Sequence, residues 1–230
     1  MPHPAMFVFL PLAGVVAFYL WRREARRTRR KFIDDFQFPA ALPRKLRATY
    51  PHLSTAQAER TLDALRDYFT IVLWAPGRMV SMPSQAVNVV WHELILDTRA
   101  YQRFCQRAFG RFLHHTPAEA MSAPTVAQQG IKRAWALSCK LENINARQPN
   151  RLPLLFGLDA LLAIPDGFRY SLDCRGKGAA AGDAAAGYCA SDIGCSSGCG
   201  GSGCAGDSSS GGGDGGGDGG CGGGCGGGGD

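Results

Sequence analysis

The chain has 230 residues, a formal net charge of +6 and nine cysteines, a length that allows one or two domains. Segment 22–31, "RREARRTRRK", carries seven basic residues and one Glu, so this segment alone accounts for the net charge of +6. Because the remaining charges cancel, the sequence lacks the broad basic region that is typical of nucleic-acid-binding proteins, and we expect no nucleic-acid partner.

Composition also divides the chain into four parts. We predict a transmembrane anchor at 1–21, a basic juxtamembrane segment and linker at 22–53, a helical domain at 54–174, and a disordered Gly/Cys-rich tail at 175–230. The tail differs from the rest because its residues from 176 onward hold 25 of the 31 glycines and six of the nine cysteines. The helical part is long enough for one independently stable domain.

The predicted anchor is an apolar run, Ala5–Trp21, that contains no charged side chain and directly precedes the basic segment. As a helix it is about 25 Å long, close to the lower limit of ~17 residues for crossing a membrane. A cleaved secretory signal has its basic residues before the apolar run, whereas here they follow it. The sequence therefore predicts a single-pass transmembrane helix, and the alternative is a buried helix of a soluble domain.

The basic segment 22–31 gives the predicted anchor an orientation. Basic residues at one end of a membrane helix favour the cytoplasmic side of that end, so we expect the amino terminus outside and the domain and tail in the cytoplasm. A cationic segment beside the membrane also attracts anionic lipid headgroups. The expected partner of residues 22–31 is therefore anionic lipid.

The tail contains almost nothing that can be buried, which predicts disorder. Two of its cysteine pairs have a C-x3-C spacing that can bind zinc or copper(I), although thiols stay free by default in a reducing cytoplasm. Three interpretations are open: an unstructured spacer, a tether that binds soft metals or reacts through its thiols, and a chemically modified tail. The tail cysteines are Cys189, Cys195, Cys199, Cys204, Cys221 and Cys225.

Helical signals begin in the predicted linker and continue through the domain. A short helix is predicted around Pro43–Tyr50. Ser54 opens a capping box, and the helix that follows should stop before Pro76. Ser84 is predicted to cap the next helix and Thr98 the one after it.

Further helical signals fill the second half of the domain. Residues 116–119, "TPAE", combine a cap, a proline in the first turn and a Glu that closes a capping box. We predict helices over Thr125–Leu141, with Val126 inside, and over Pro153–Ile164. Alternating apolar residues within 165–174 allow a short strand. The prediction is an all-α fold of five or six helices with little or no sheet.

The stretch from Val89 to Thr116 holds three of the five histidines. It begins like the zinc-protease motif His-Glu-x-x-His, but Leu96 occupies the position of the second histidine. Cys105 is predicted on the apolar face of its helix, where a cysteine usually behaves as an inert core residue. Neither a zinc protease nor a Cys/His nucleophile is therefore indicated.

A ligand set across two helices remains as a hypothesis. His92 and Asp97 can share a ligand only if their helix ends between them, and one of the two following histidines would have to fold back to His92. The candidate metal ligands are therefore His92, Asp97, His114 and His115, with zinc as the candidate ion. Protonated histidines would equally suit the negative end of a helix without any metal.

A short pattern in "MPSQAVNVVWHELILDTRAYQRFC" consists of Val-x-x-x-Trp-His, then a Tyr and then a Cys. In this chain the pattern is formed by Val87, Trp91, His92, Tyr101 and Cys105. It resembles the glycine-rich domain-containing protein-like family known from plants and bacteria. The resemblance implies a helical domain with an interaction or regulatory role and implies no reaction.

These observations together predict a non-enzymatic, single-pass protein of the bacterial inner (plasma) membrane, whose helical domain binds a protein partner. In that interpretation Trp91 and His92 are structural. The first alternative is a metal-binding protein that uses His92 with His114 or His115, or uses the tail cysteines. The second is a hydrolase-like enzyme that uses the same histidines, because the ordinary histidine pKa of about 6.5 suits acid–base catalysis.

Overall fold

The computed structural model describes residues 4–115, 124–172, 188–189 and 193, and the side chains of 14–115, 126–172 and 193. In this part of the chain the fold is all-α, as predicted, with seven helices and one parallel pair of two-residue strands. The elements are α1 Pro4–Asp35, α2 Ala41–Thr49, α3 Thr55–Trp74, α4 Gln85–Leu96, α5 Thr98–Phe109, α6 Pro124–Leu141, α7 Leu154–Leu161, β1 Tyr170–Ser171 and β2 Tyr188–Cys189.

The central element is α3, which packs against α1, α2, α4, α6 and α7. The predicted capping box at its start is confirmed: the Ser54 hydroxyl accepts a hydrogen bond from the Gln57 amide, and the Gln57 side chain accepts one from the Ser54 amide. The helix ends at Trp74, before Pro76, as predicted. Local sequence signals thus fix both ends of the helix on which the core is built.

The caps of α4 and α5 agree with the sequence only in part. Ser84 caps α4 as predicted, because its hydroxyl accepts a hydrogen bond from the Val87 amide. The cap of α5 is Asp97, which accepts from the Ala100 amide, and the predicted cap Thr98 is the first helical residue. A carboxylate is the better cap at this point because its charge also interacts favourably with the positive end of the helix.

The core reaches further toward the amino terminus than the predicted domain boundary at residue 54. Ile33 at the carboxyl end of α1 is fully buried, as are Leu42 and Leu46 of α2. These side chains are part of the same hydrophobic cluster as α3, α4 and α5. The second half of the predicted linker is therefore core, since the apolar residues of α2 face inward at helical spacing.

In the second half of the fold the helices are close to the predicted ranges. Trp135 is buried, but Val126, which was expected inside, is 41% exposed. The prediction for Val126 is wrong because the start of α6 is mostly exposed, and burial begins at Gly130 and continues at Ala134 and Trp135. The helix packs on α3 and α7. The predicted cap at 116–119 lies outside the described residues.

The predicted anchor and tail are described only in part. Among the described side chains, no helix is long and apolar enough to cross a membrane. The run Ala5–Trp21 is helical within α1, but its side chains before residue 14 lie outside the described residues. So do the side chains of the six tail cysteines.

One carboxylate in α3 makes stability depend on pH. Asp67 is half-buried, and burial, together with the negative charge of Glu142, raises its pKa to about 6. The nearby Arg30 lowers this pKa and offsets only part of the effect. Because the folded state holds the proton more tightly than the unfolded chain, the charged form of Asp67 destabilises the fold.

We expect Asp67→Asn to raise the midpoint of thermal unfolding at pH 7.5 and to leave it nearly unchanged at pH 4. The cost of the charge begins above the ordinary pKa of 3.8 and is complete above about 6. Circular dichroism melts of the full chain from pH 4 to pH 8 measure the difference. Glu59→Gln, at an exposed position on the same helix, is the control, and an equal gain for Asp67→Asn at both pH values would contradict the assignment.

Candidate functional site

A buried carboxylate of α7, Asp159, holds the start of α4. Its Oδ1 accepts hydrogen bonds from the Ser84 hydroxyl at 2.6 Å and from the Ala86 amide at 3.2 Å. Its Oδ2 accepts from the amides of Gln85 at 2.7 Å and Phe168 at 2.9 Å. The first amides of a helix have no partner within the helix and carry partial positive charge. The carboxylate therefore accepts hydrogen bonds from these amides and also places a negative charge beside their partial positive charge.

The loop after α7 closes over this carboxylate. A Cβ on Gly167 would lie 2.7 Å from the Asp159 Cβ and 2.9 Å from the Ile164 Cβ, so only glycine fits at this position. Sequence reasoning missed Asp159. The available signal was a single acidic residue within the apolar run "LLFGLDALL" of α7, since such a residue is rarely buried without polar partners.

The residues of the Val-Trp-His, Tyr, Cys pattern occupy two environments. Val87, Trp91, Tyr101 and Cys105 are buried, whereas His92 is exposed. Burial raises the pKa of the Cys105 thiol, which disfavours the thiolate that a nucleophile or metal ligand needs. The four buried residues are packing residues, and among the five only His92 faces solvent.

A hydrogen-bonded chain fixes the segment after α5 against α4. The Trp91 indole N–H donates to the Tyr101 hydroxyl at 3.1 Å, and that hydroxyl donates to the Leu113 carbonyl at 2.8 Å. Helix α5 itself ends at Phe109, because Gly110 has a φ of 71°, a conformation that favours glycine. The chain thus turns back so that residues 113–115 lie beside α4.

This return brings two of the four candidate metal ligands together. Nε2 of His92 and Nε2 of His115 are 3.0 Å apart, and the His115 Nε2 is also 3.0 Å from Oδ1 of Asn88. The His115 ring lies edge-on to Trp91 with a centroid distance of 4.5 Å. Asn88 and His92 are four residues apart on α4, so they share one face of the helix.

The other two candidates lie elsewhere. Asp97 caps α5, and His114 is exposed with its ring against Phe112. The histidines at 114 and 115 also do not cap α5, which ends at Phe109. Among the described residues, no group of three or more His, Cys, Asp or Glu is arranged to hold a metal ion.

The protonation of the histidine pair decides its chemistry. Burial, and then the neighbouring His92, lower the pKa of His115, so its imidazole is neutral at neutral pH and keeps a lone pair. Sequence reasoning missed Asn88, although its spacing of four residues from His92 was a usable signal. The arrangement can share a proton between the rings or bind a cation through the lone pairs of all three side chains.

We expect Asp159→Asn to lower the free energy of unfolding by about 3 kcal/mol. Hydrogen bonds to a charged acceptor contribute about 1.5–3 kcal/mol each, and the amide nitrogen of Asn would face a donor. Urea unfolding of the full chain, followed by tryptophan fluorescence, measures the loss. Ser84→Ala removes one donor and the cap of α4, which costs about 1 kcal/mol. A loss for Asp159→Asn that is no larger than this would contradict the central role of the carboxylate.

Comparison with known proteins identifies the family and nothing narrower. A family model described as UCP032817-like matches residues 28–193, from the carboxyl half of α1 to beyond β2. No curated protein and no solved structure matches the chain. The resemblance to the glycine-rich domain-containing protein-like family stays a prediction. Since the matched range is well over half of the sequence, the chain belongs to the UCP032817-like family.

Proposed function

We propose that this protein is a membrane-anchored helical interaction module without catalytic activity, with its domain on the cytoplasmic side of a bacterial inner membrane. The observation that carries the proposal is a band of exposed apolar side chains on α1, each between 50% and 66% exposed. The band consists of Val15, Val16, Phe18, Tyr19, Leu20 and Trp21.

The band is exposed on every side of the helix. Residues 15–21 cover almost two turns at ~3.6 residues per turn, so their side chains point in all directions. A helix that lies on a protein or on a membrane surface has one apolar and one polar face. A helix that is apolar all round is stable only inside an apolar medium, and large exposed apolar surfaces mark interaction sites. Hydrocarbon fits this surface better than a protein groove does.

The residues that follow the band suit the headgroup region. Arg22, Arg23, Arg26 and Arg27 are exposed, and aromatic and basic residues are typical of the membrane interface. A groove beside α1 combines Phe18 and Trp21 with two of these arginines, Arg22 and Arg26. Such a combination matches an anionic lipid, which has acyl chains next to a phosphate.

The same helix connects the proposed anchor to the domain without a break. α1 continues to Asp35, and its carboxyl end is held by the buried Ile33 and by Arg29, which donates to the Phe109 carbonyl at 2.9 Å. A continuous helix sets the distance between its two ends at ~1.5 Å per residue. The domain would therefore sit at a fixed height above the lipid. A protein partner of the domain stays a prediction.

We expect the wild-type chain to stay with bacterial membranes during an alkaline carbonate wash. A double variant, Val15→Arg/Val16→Arg, should be released from the membranes in large part by the same wash. Each Arg near the centre of a membrane helix costs about 2.5–3.5 kcal/mol on the insertion scale. The matched control Val15→Leu/Val16→Leu keeps the band apolar and should stay bound. Release of the wild-type chain by salt alone would overturn the anchor.

The lipid preference has a separate test. Vesicles with and without anionic lipid are mixed with the detergent-purified chain, and flotation measures the bound fraction. We expect a variant to lose the preference for anionic vesicles when all four exposed arginines, Arg22, Arg23, Arg26 and Arg27, are changed to Gln. The reason is that each basic residue near the membrane surface contributes about 1 kcal/mol to binding. Equal flotation with both vesicle types for the wild-type chain would contradict the lipid partner.

A further inference from the structure

We infer that Asn88, His92 and His115 form an open binding site for a divalent transition-metal ion of the zinc class. The site would supply two imidazole nitrogens and one amide oxygen, and water would fill the remaining positions. It is independent of the proposed membrane anchor, because all three side chains lie on α4 and on the segment that follows α5.

The distances match those between two ligands of one ion. Zinc–imidazole bonds are about 2.0–2.1 Å long, so two donor atoms on the same ion lie roughly 2.9–3.4 Å apart at bond angles of roughly 90–110°. The distance between the two histidine Nε2 atoms is 3.0 Å, and that from His115 Nε2 to Asn88 Oδ1 is also 3.0 Å. The two rings are inclined at 75° to each other, so they do not stack.

With the Asn88 oxygen facing His115, hydrogen bonding alone leaves one contact of this cluster unsatisfied. A neutral imidazole carries one N–H, and Nε2 of His115 faces both the His92 Nε2 and the Asn88 Oδ1. If His115 donates to Asn88, that single proton has to serve the His92 contact as well. If His115 accepts from His92, its lone pair faces the lone pairs of the Asn88 oxygen. A cation removes the conflict, because all three atoms can direct lone pairs at it.

The three donors are held in place before any ion arrives. Asn88 and His92 belong to α4, whose first turn is fixed by Asp159. His115 packs against the ring of Trp91, and the adjacent Leu113 carbonyl is held by Tyr101. Sites on rigid elements with supporting contacts hold their ligand atoms more precisely than sites on unsupported loops.

The donor set also indicates which ions fit. Structural zinc sites use four protein ligands, whereas three protein ligands with an open position are typical of sites that bind water or a small ligand. Imidazole suits zinc, copper and nickel, and affinity rises toward Cu²⁺ across the divalent series. The site should therefore hold Cu²⁺ more tightly than Zn²⁺. Mg²⁺ and Ca²⁺ should not bind, because they take oxygen ligands and two of the three donors are nitrogen atoms.

The test uses the full chain in detergent, without a histidine tag, with the seven cysteines after residue 173 replaced by Ser so that tail thiols cannot bind metal. Calorimetric titration with Zn²⁺ should give one ion per chain. Electron paramagnetic resonance of the Cu²⁺ form should show two coordinated imidazoles. An empty protein, or a spectrum with no imidazole nitrogen, would overturn the site.

Variants assign the ligands. His92→Ala and His115→Ala should each weaken Zn²⁺ binding more than about tenfold, since loss of an outer partner of a metal ligand already costs about 10–100-fold. His114→Ala is the matched control and should leave the affinity unchanged. Asn88→Asp should tighten binding about tenfold or more by adding a charged ligand, a gain that a misfolded variant cannot produce. Equal losses for His114→Ala and His115→Ala, or no gain with Asn88→Asp, would overturn the assignment.

Discussion

The carboxylate of Asp159 is the constraint on which the rest of the domain depends. It is almost fully buried at 1% exposure, yet its four hydrogen bonds join α7, the first turn of α4 and the loop at Phe168. A buried charge is tolerated only when it is paired and hydrogen-bonded, and here its partners are the amides at the positive end of a helix. The same bonds fix the direction of α4. The candidate ligands Asn88 and His92 lie on the helix whose start this contact holds.

A second fixed point of α4 lies at Trp91. The Tyr101 hydroxyl accepts a hydrogen bond from Trp91 and donates one to the Leu113 carbonyl, which pulls the segment after α5 onto α4. Together with the turn at Gly110, this bond places residues 113–115 beside α4. The resemblance pattern thus has a physical basis: its Trp, Tyr and Cys build the surface on which the histidine at 115 is placed, although that histidine is not part of the pattern.

The caps that the sequence predicted correctly depend on local contacts, whereas the main contacts that it missed join distant parts of the chain. The caps Ser54 and Ser84 were found because a cap and its amide partner lie three residues apart. The burial of Val126 was predicted wrongly because helical spacing shows which face is apolar but not where along α6 the neighbouring helices begin. Asp159 and its partners in α4 are more than 70 residues apart, so no periodicity could connect them. The pairing of His92 with His115, and the separation of His114 from both, depends likewise on a turn at Gly110 and a distant tyrosine.

The segment between α5 and the end of the described part at residue 115 is held at two points, and this connects the two proposals structurally. At its start, Arg29 of α1 donates to the Phe109 carbonyl, and a Cβ on Gly110 would collide with the same guanidinium. The glycine is needed for its φ, whereas the flexible end of Arg29 could move away from an added side chain. At Leu113 the segment is held by Tyr101. The basic helix that is proposed to meet lipid and the histidine that is proposed to bind metal thus belong to one continuous set of contacts. The two proposals nevertheless have independent tests, because vesicle binding depends on residues 15–27 and metal binding depends on α4 and His115.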